Sequence, residues 1–178
     1  MIYLPILRQK AMKLSKNQIR TLINKALFVL IAFIVGNIVV LALSQFYGIG
    51  VIHTKSIDKD VFIYQKKFQG DLKDSLIYFS LPVQTRYFDK DSNFGKYVRC
   101  EEGQTLSVKD LKYYCDNVFL GIAQKTDKDG NKVEQFIFNG VIPKDKFFVM
   151  GTHPRSFDSR YWGFVDRKDI KGVSIWAF

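Results

Sequence analysis

The chain has 178 residues, a formal net charge of +10 and a hydrophobic fraction of 47%. That length accommodates one domain of ordinary size and an appendage, not two full domains. An aromatic fraction of 15% and a charged fraction of 25% exclude a disordered or collagen-like chain, and two cysteines with two histidines are too few for a zinc ribbon or finger.

The charge is concentrated at the start. Residues 1–25 hold Arg8, Lys10, Lys13, Lys16, Arg20 and Lys25 and no acid, which is +6 of the +10. A basic head of this kind could bind a phosphate backbone, but the next segment argues against a nucleic-acid partner. From Ala26 to Ser44 the sequence runs ALFVLIAFIVGNIVVLALS without a charge. As a helix at ~1.5 Å per residue it would be about 28 Å long, close to the hydrocarbon thickness of a bilayer. A helix also satisfies every backbone polar group internally, as lipid demands. The competing reading is a cleaved leader ending at Ala42-Leu43-Ser44. The apolar run exceeds the usual leader core of ~7–15 residues, so a retained anchor is preferred. The dense Lys/Arg flank puts the N-terminus in the cytoplasm and residues 45–178 on the exported, periplasmic side of the inner membrane. The expected division is a basic head (1–25), a transmembrane anchor (26–44) and an exported domain (45–178).

Beyond Gly50 no long amphipathic helix is predicted. Runs rich in Val, Ile, Phe and Tyr predict strands over Val61–Tyr64, Leu76–Leu81, Tyr97–Val108, Asn117–Gln124, Glu134–Phe138, Lys146–Met150 and Gly172–Ala177. Phe68–Ser75 and Ser107–Lys112 predict short helices or turns. Asp127-Lys128-Asp129-Gly130-Asn131-Lys132 is a strong hairpin turn, because Asp, Gly and Asn tolerate positive φ. Its Asp-x-Asp-Gly spacing is calcium-like, but the later carboxylate ligands are missing and no metal is expected. The fold class is mainly β. Cys100 and Cys115 fall in adjacent predicted strands; in an oxidising compartment they suit a disulfide, and two buried free thiols are the other reading.

Histidine-based serine catalysis lacks support, since neither His53 nor His153 sits in a triad-like pattern. A lysine can replace histidine as the base that accepts a serine proton, provided burial strips the amine of its own proton. Lys96 opens the predicted strand Lys96-Tyr97-Val98-Arg99-Cys100, and alternation puts Lys96, Val98 and Cys100 on one apolar face.

Three segments then resemble a family. His153-Pro154-Arg155-Ser156-Phe157-Asp158-Ser159-Arg160-Tyr161, followed by Trp162-Gly163, resembles the C-terminal signature of the type I signal peptidases. It is most similar to that of their conjugative-transfer, TraF-like branch, which matures pilin subunits. Thr54-Lys55-Ser56-Ile57 resembles the nucleophile phrase, with Asp58 where proline is usual. Lys96 through Gln104 keeps the family's lysine and second glycine, Gly103, and departs at the arginine, the first glycine and the final aspartate. The resemblance implies a signal-peptidase-like β-rich catalytic domain preceded by one N-terminal transmembrane helix, and a serine endopeptidase without a cofactor. It implies Ser56 as nucleophile and Lys96 as base. Thr54 and the Ser56 N–H would form the oxyanion hole. Ser156 would hydrogen-bond the lysine amine, and Asp158 and Arg160 would brace the segment as an ion pair. The implied partners are the lipid bilayer and an exported, pilin-like precursor, which is cleaved or cyclised. A scaffold of a conjugation or secretion apparatus that retains the fold without catalysis is the alternative.

Overall fold

A computed structural model describes residues 15–178. The expectation for the first fourteen residues of the basic head lies outside the described residues. Helix α1 spans Lys16–Ser44, so it begins ten residues before the apolar run and includes Lys16, Arg20 and Lys25. Its start is a capping box: Ser15 Oγ accepts from the Gln18 N–H at 3.3 Å, and Gln18 Oε1 accepts from the Ser15 N–H at 2.8 Å. The Asn37 side chain donates to the Phe33 carbonyl one turn back at 2.8 Å, so the helix satisfies its central polar group itself. None of its side chains is buried, and it is long and apolar enough to cross a membrane.

Chain contacts divide the protein between Leu43 and Ser44. The second unit is built on two antiparallel sheets. The larger contains β1 (Tyr47–Val51), β2 (Val61–Gln65), β3 (Leu76–Ser80), β4 (Asn93–Glu101), β9 (Lys146–Met150), β10 (Val165–Asp166) and β11 (Ile170–Ala177), in the spatial order β1-β2-β11-β3-β4-β9-β10. The smaller contains β5 (Thr105–Lys109), β6 (Lys112–Cys115), β7 (Val118–Ile122) and β8 (Gly140–Val141), in the order β7-β6-β5-β8. A single helical turn, α2, covers Ser159–Trp162.

Strand β9 shows why the larger sheet is stable. Phe147 and Val149 enter a core with Ile77, Phe79, Val98 and Val173 on one side; Phe148 and Met150 enter a second core with Leu106, Tyr113 and Ile142 on the other. A strand covered on both faces needs an uninterrupted apolar run, and Phe-Phe-Val-Met supplies it. The second core joins the sheets, and the Cys100–Cys115 disulfide ties β4 to β6 within it, with Cα atoms 5.7 Å apart. Cys115→Ser, compared with the parent in urea unfolding, is expected to lower stability by about 2–3 kcal/mol, since the bridge closes a short loop.

Several sequence expectations are corrected. The predicted strand Tyr97–Val108 is two strands, β4 and β5, separated by a turn at 102–104 in which Gly103 adopts φ +81 and the Gln104 N–H donates to the Glu101 carbonyl at 3.1 Å. Of the helix or turn expected over 107–112 the turn is formed, two residues long with Asp110 and Leu111 both at positive φ, between the end of β5 and the start of β6. Segment 134–138 is extended but unpaired: Phe136 and Phe138 pack on Phe164, and the Phe136 N–H goes to the Arg160 carbonyl at 2.9 Å rather than into a ladder. The shared face of Lys96, Val98 and Cys100 also fails at its last member. A register shift lies between Val98 and Cys100, so Val98 points into the first core and Cys100 into the second.

Candidate functional site

Ser56 lies in the loop between β1 and β2. The next residue, Ile57, is buried with Phe62 and Leu76, which anchors the loop from below. From the other side, the Ser56 carbonyl accepts from the His153 N–H at 3.2 Å. The Ser56 side chain stays partly exposed at a cleft of about 620 Å³ that is also lined by Thr54, Phe94, Lys96, Ser156 and Tyr161. Ser56 Oγ accepts a hydrogen bond from Thr54 Oγ1 at 3.0 Å.

Lys96 sits in β4, between β3 and β9, with Ile77 as its cross-strand partner. It is 2% exposed. Its amine lies 5.7 Å from the centre of the Phe94 ring. Loss of hydration drives its pKa down to about 8, with the Asp158 carboxylate opposing that shift and the Arg160 guanidinium adding to it. The result is a lysine with a substantial neutral fraction near physiological pH.

Gly151 joins these parts, and sequence reasoning missed it. Tyr97 pairs with Met150, so the antiparallel register sets Gly151 opposite Lys96, one residue past the ladder. A Cβ there would collide with the Ser56 carbonyl oxygen and with Ser156 Oγ. Only a bare α-carbon lets the serine loop, the lysine strand and the 153–161 segment meet. The signal available was a glycine directly after the apolar run Phe147–Met150 and before the His-Pro phrase. Gly151→Ala is expected to cost about 1–3 kcal/mol from overpacking. It should also cut any Ser56-dependent turnover by about 10²-fold through displacement of that loop. Thermal unfolding and the processing rate measure the two effects separately.

The 153–161 segment is fixed by a buried ion pair. Asp158 and Arg160 are 0% and 2% exposed. Two bonds of 2.8 Å join them, Nε to Oδ1 and Nη2 to Oδ2. Asp158 also accepts from the Gly151 N–H at 3.0 Å, and Arg160 donates to the carbonyls of Ile122, Pro154 and Ser156. His153 lines the cleft and holds its turn by accepting from the Arg155 N–H through Nδ1 at 3.1 Å; His53 is exposed elsewhere on the loop. One expected contact is not formed. Ser156 Oγ is buried without a hydrogen-bond partner, so the bond to the Lys96 amine is not made; the hydroxyl lies where a Cβ on residue 151 would be. Ser56 Oγ likewise takes its bond from Thr54. The hairpin turn at Asp127 is confirmed in detail, with the carboxylate accepting from the N–H groups of Asp129 and Asn131.

Fold and cleft together define a β-sheet protein in which a serine hydroxyl and a desolvated lysine amine share one cleft, preceded in sequence by a helix of membrane-spanning length. The family described as Signal peptidase, peptidase S26 matches residues 20–178, and the chain belongs to that family. A signal peptidase I of Aquifex aeolicus is 27% identical over 114 residues, covering 64% of this chain and 41% of that protein. A signal peptidase I of Buchnera aphidicola is 51% identical over 39 residues, 20% of this chain and 13% of its own length. The chain thus spans less than half the length of these relatives. A crystal structure of a signal peptidase I from Enterococcus faecalis shares 24% identity at a TM-score of 0.40, covering 60% of this chain and 98% of that one.

Proposed function

We propose that this chain is a membrane-anchored serine endopeptidase that processes exported precursors with a Ser56–Lys96 dyad. One observation carries the reading: a lysine buried to the point of partial neutrality lines the same cleft as a partly exposed serine. In the first step Ser56 Oγ attacks the scissile carbonyl while the neutral Lys96 amine takes the hydroxyl proton. The Ser56 N–H and the Thr54 hydroxyl, which turns from Ser56 Oγ to the new oxyanion, stabilise the tetrahedral intermediate. The lysine ammonium then protonates the departing amine, leaving an ester on Ser56. Entry of substrate brings the Lys96 amine within hydrogen-bond reach of Ser56 Oγ and Ser156 Oγ, since catalytic hydrogen bonds commonly tighten only in the complex. Residues 26–44 act as the anchor, 1–25 as the cytoplasmic head and 45–178 as the periplasmic domain. Confinement to one membrane plane raises the effective concentration of enzyme and precursor.

Within the family, the phrase from His153 to Tyr161 supports placement in the conjugative-transfer branch, with a pilin precursor as substrate. Water resolves the ester to give a cleaved pilin; an amine at the other end of the same chain resolves it to a ring. The test is purification of the candidate precursor from cells making the parent or Ser56→Ala protein, followed by mass spectrometry. The parent should give a shortened product, one water lighter still if cyclised, and Ser56→Ala should leave the precursor whole. Unchanged processing in the variant would remove Ser56 from the mechanism.

A further inference from the structure

The cleft extends beyond Ser56 and Lys96 to a wall of aromatic rings that the mechanism does not use. Phe157 stacks on Tyr161 at 5.5 Å, meets Tyr87 edge-on at 5.2 Å and lies 5.8 Å from Phe88. Phe88 in turn meets Phe94 edge-on at 5.0 Å. All five rings line the cleft, and Tyr87 and Phe88 remain 38% and 37% exposed. Rings left half in water beside a reactive serine are apolar surface available for a ligand.

The wall is built before any ligand arrives. Thr85 Oγ1 accepts from the N–H groups of Tyr87 and Phe88, and the Gln84 side chain bonds Asp89 and Lys90, so the loop carrying the rings is closed on itself. The Tyr87 hydroxyl then donates to Asp127 at 2.9 Å, joining that loop to the hairpin turn, which also lines the cleft. Pre-ordering lowers the entropy lost on binding.

We propose that this ring wall is a subsite for one bulky aromatic or aliphatic side chain of an extended polypeptide lying in the cleft, an inference that rests on the peptidase reading above. An extended chain sends alternate side chains to one face. A residue at the scissile bond and another a few positions away can therefore occupy the dyad end and the ring end together. The occupant is apolar because ring faces gain by losing water, and it is peptide because the rings are continuous with the site where a peptide bond would be cut.

The test uses the full chain in detergent, carrying Ser56→Ala, and fluorescent peptides with small residues before the scissile bond. Each flanking position in turn is Phe, Leu, Ala or Glu, and binding is read by anisotropy. At one position Phe or Leu should bind about tenfold tighter than Ala. Phe157→Ala should bring that ratio to within about twofold. Tyr87→Ala, in an exposed loop, makes the same test if Phe157→Ala does not fold. Equal binding of all peptides, or a preference that survives both variants, would overturn the subsite, as would a gain that tracks detergent micelles rather than protein. Cleavage of the same peptides by the parent separates the two readings. Cleavage without side-chain preference removes the subsite alone; selective binding with no cleavage removes the peptidase reading alone.

Discussion

Lys96→Met is expected to abolish precursor processing while making the protein more stable. The loss should be at least about 10³-fold, the upper range for a positioned general base, because among the described residues the other basic groups lining the cleft, Lys55, Lys128, His153 and Arg155, are exposed. The gain has the opposite origin. The folded pKa of Lys96 is about 8 against an ordinary 10.5, so between those values the unfolded chain binds a proton that the folded chain does not. Stability therefore rises with pH across that window, and below about pH 8 the fold bears the full cost of a buried ammonium, on the order of 3 kcal/mol. Methionine fills similar volume without charge and removes that cost. Urea midpoints for parent and variant at pH 7 and pH 10 should converge at the higher pH. The parent's kcat/KM should climb about tenfold per unit below pH 8 and level off above it, since only the neutral amine accepts the serine proton. A flat profile between pH 6 and 9 would mean that Lys96 is not the base. A variant that loses both activity and stability would make it a packing residue.

Chemistry was easier to read from this sequence than geometry. The apolar run from Ala26 announced α1 because lipid selects composition over a whole segment, and the four apolar residues of β9 announced a strand covered on both faces. Strand β1 went unread. Tyr-Gly-Ile-Gly-Val looks like a loop, yet its glycines are required by the Tyr64 and Phe62 rings, which occupy the space where side chains at 48 and 50 would sit. The segment 134–138 erred the other way, with strand-like residues spent on an aromatic cluster. The bulge that turns Cys100 to the opposite face from Val98 depends on the register against β9, which one strand's own residues do not encode. The same holds at the site. Ser56, Lys96 and Asp158 are named by their motifs, but their meeting point is Gly151, which has no functional group to announce it.

The Asp158–Arg160 pair offers the second large effect, and it has two separable parts. Arg160→Met leaves a carboxylate with 0% exposure uncompensated, which typically costs 3–5 kcal/mol, whereas Asp158→Asn with Arg160→Met together should recover part of that loss. Chemical denaturation of the single and double variants measures the difference. The second part acts on the lysine. Asp158 raises the Lys96 pKa and Arg160 lowers it, so the two single substitutions should move the pH–rate profile in opposite directions. Asp158→Asn should shift the rise in kcat/KM to lower pH, and Arg160→Met should shift it to higher pH. Loosened packing alone would lower the rate in both variants and leave the midpoint where it was. Opposed shifts would show that the ion pair sets the charge state of the lysine as well as the shape of the segment behind it, and unshifted midpoints would limit it to the shape.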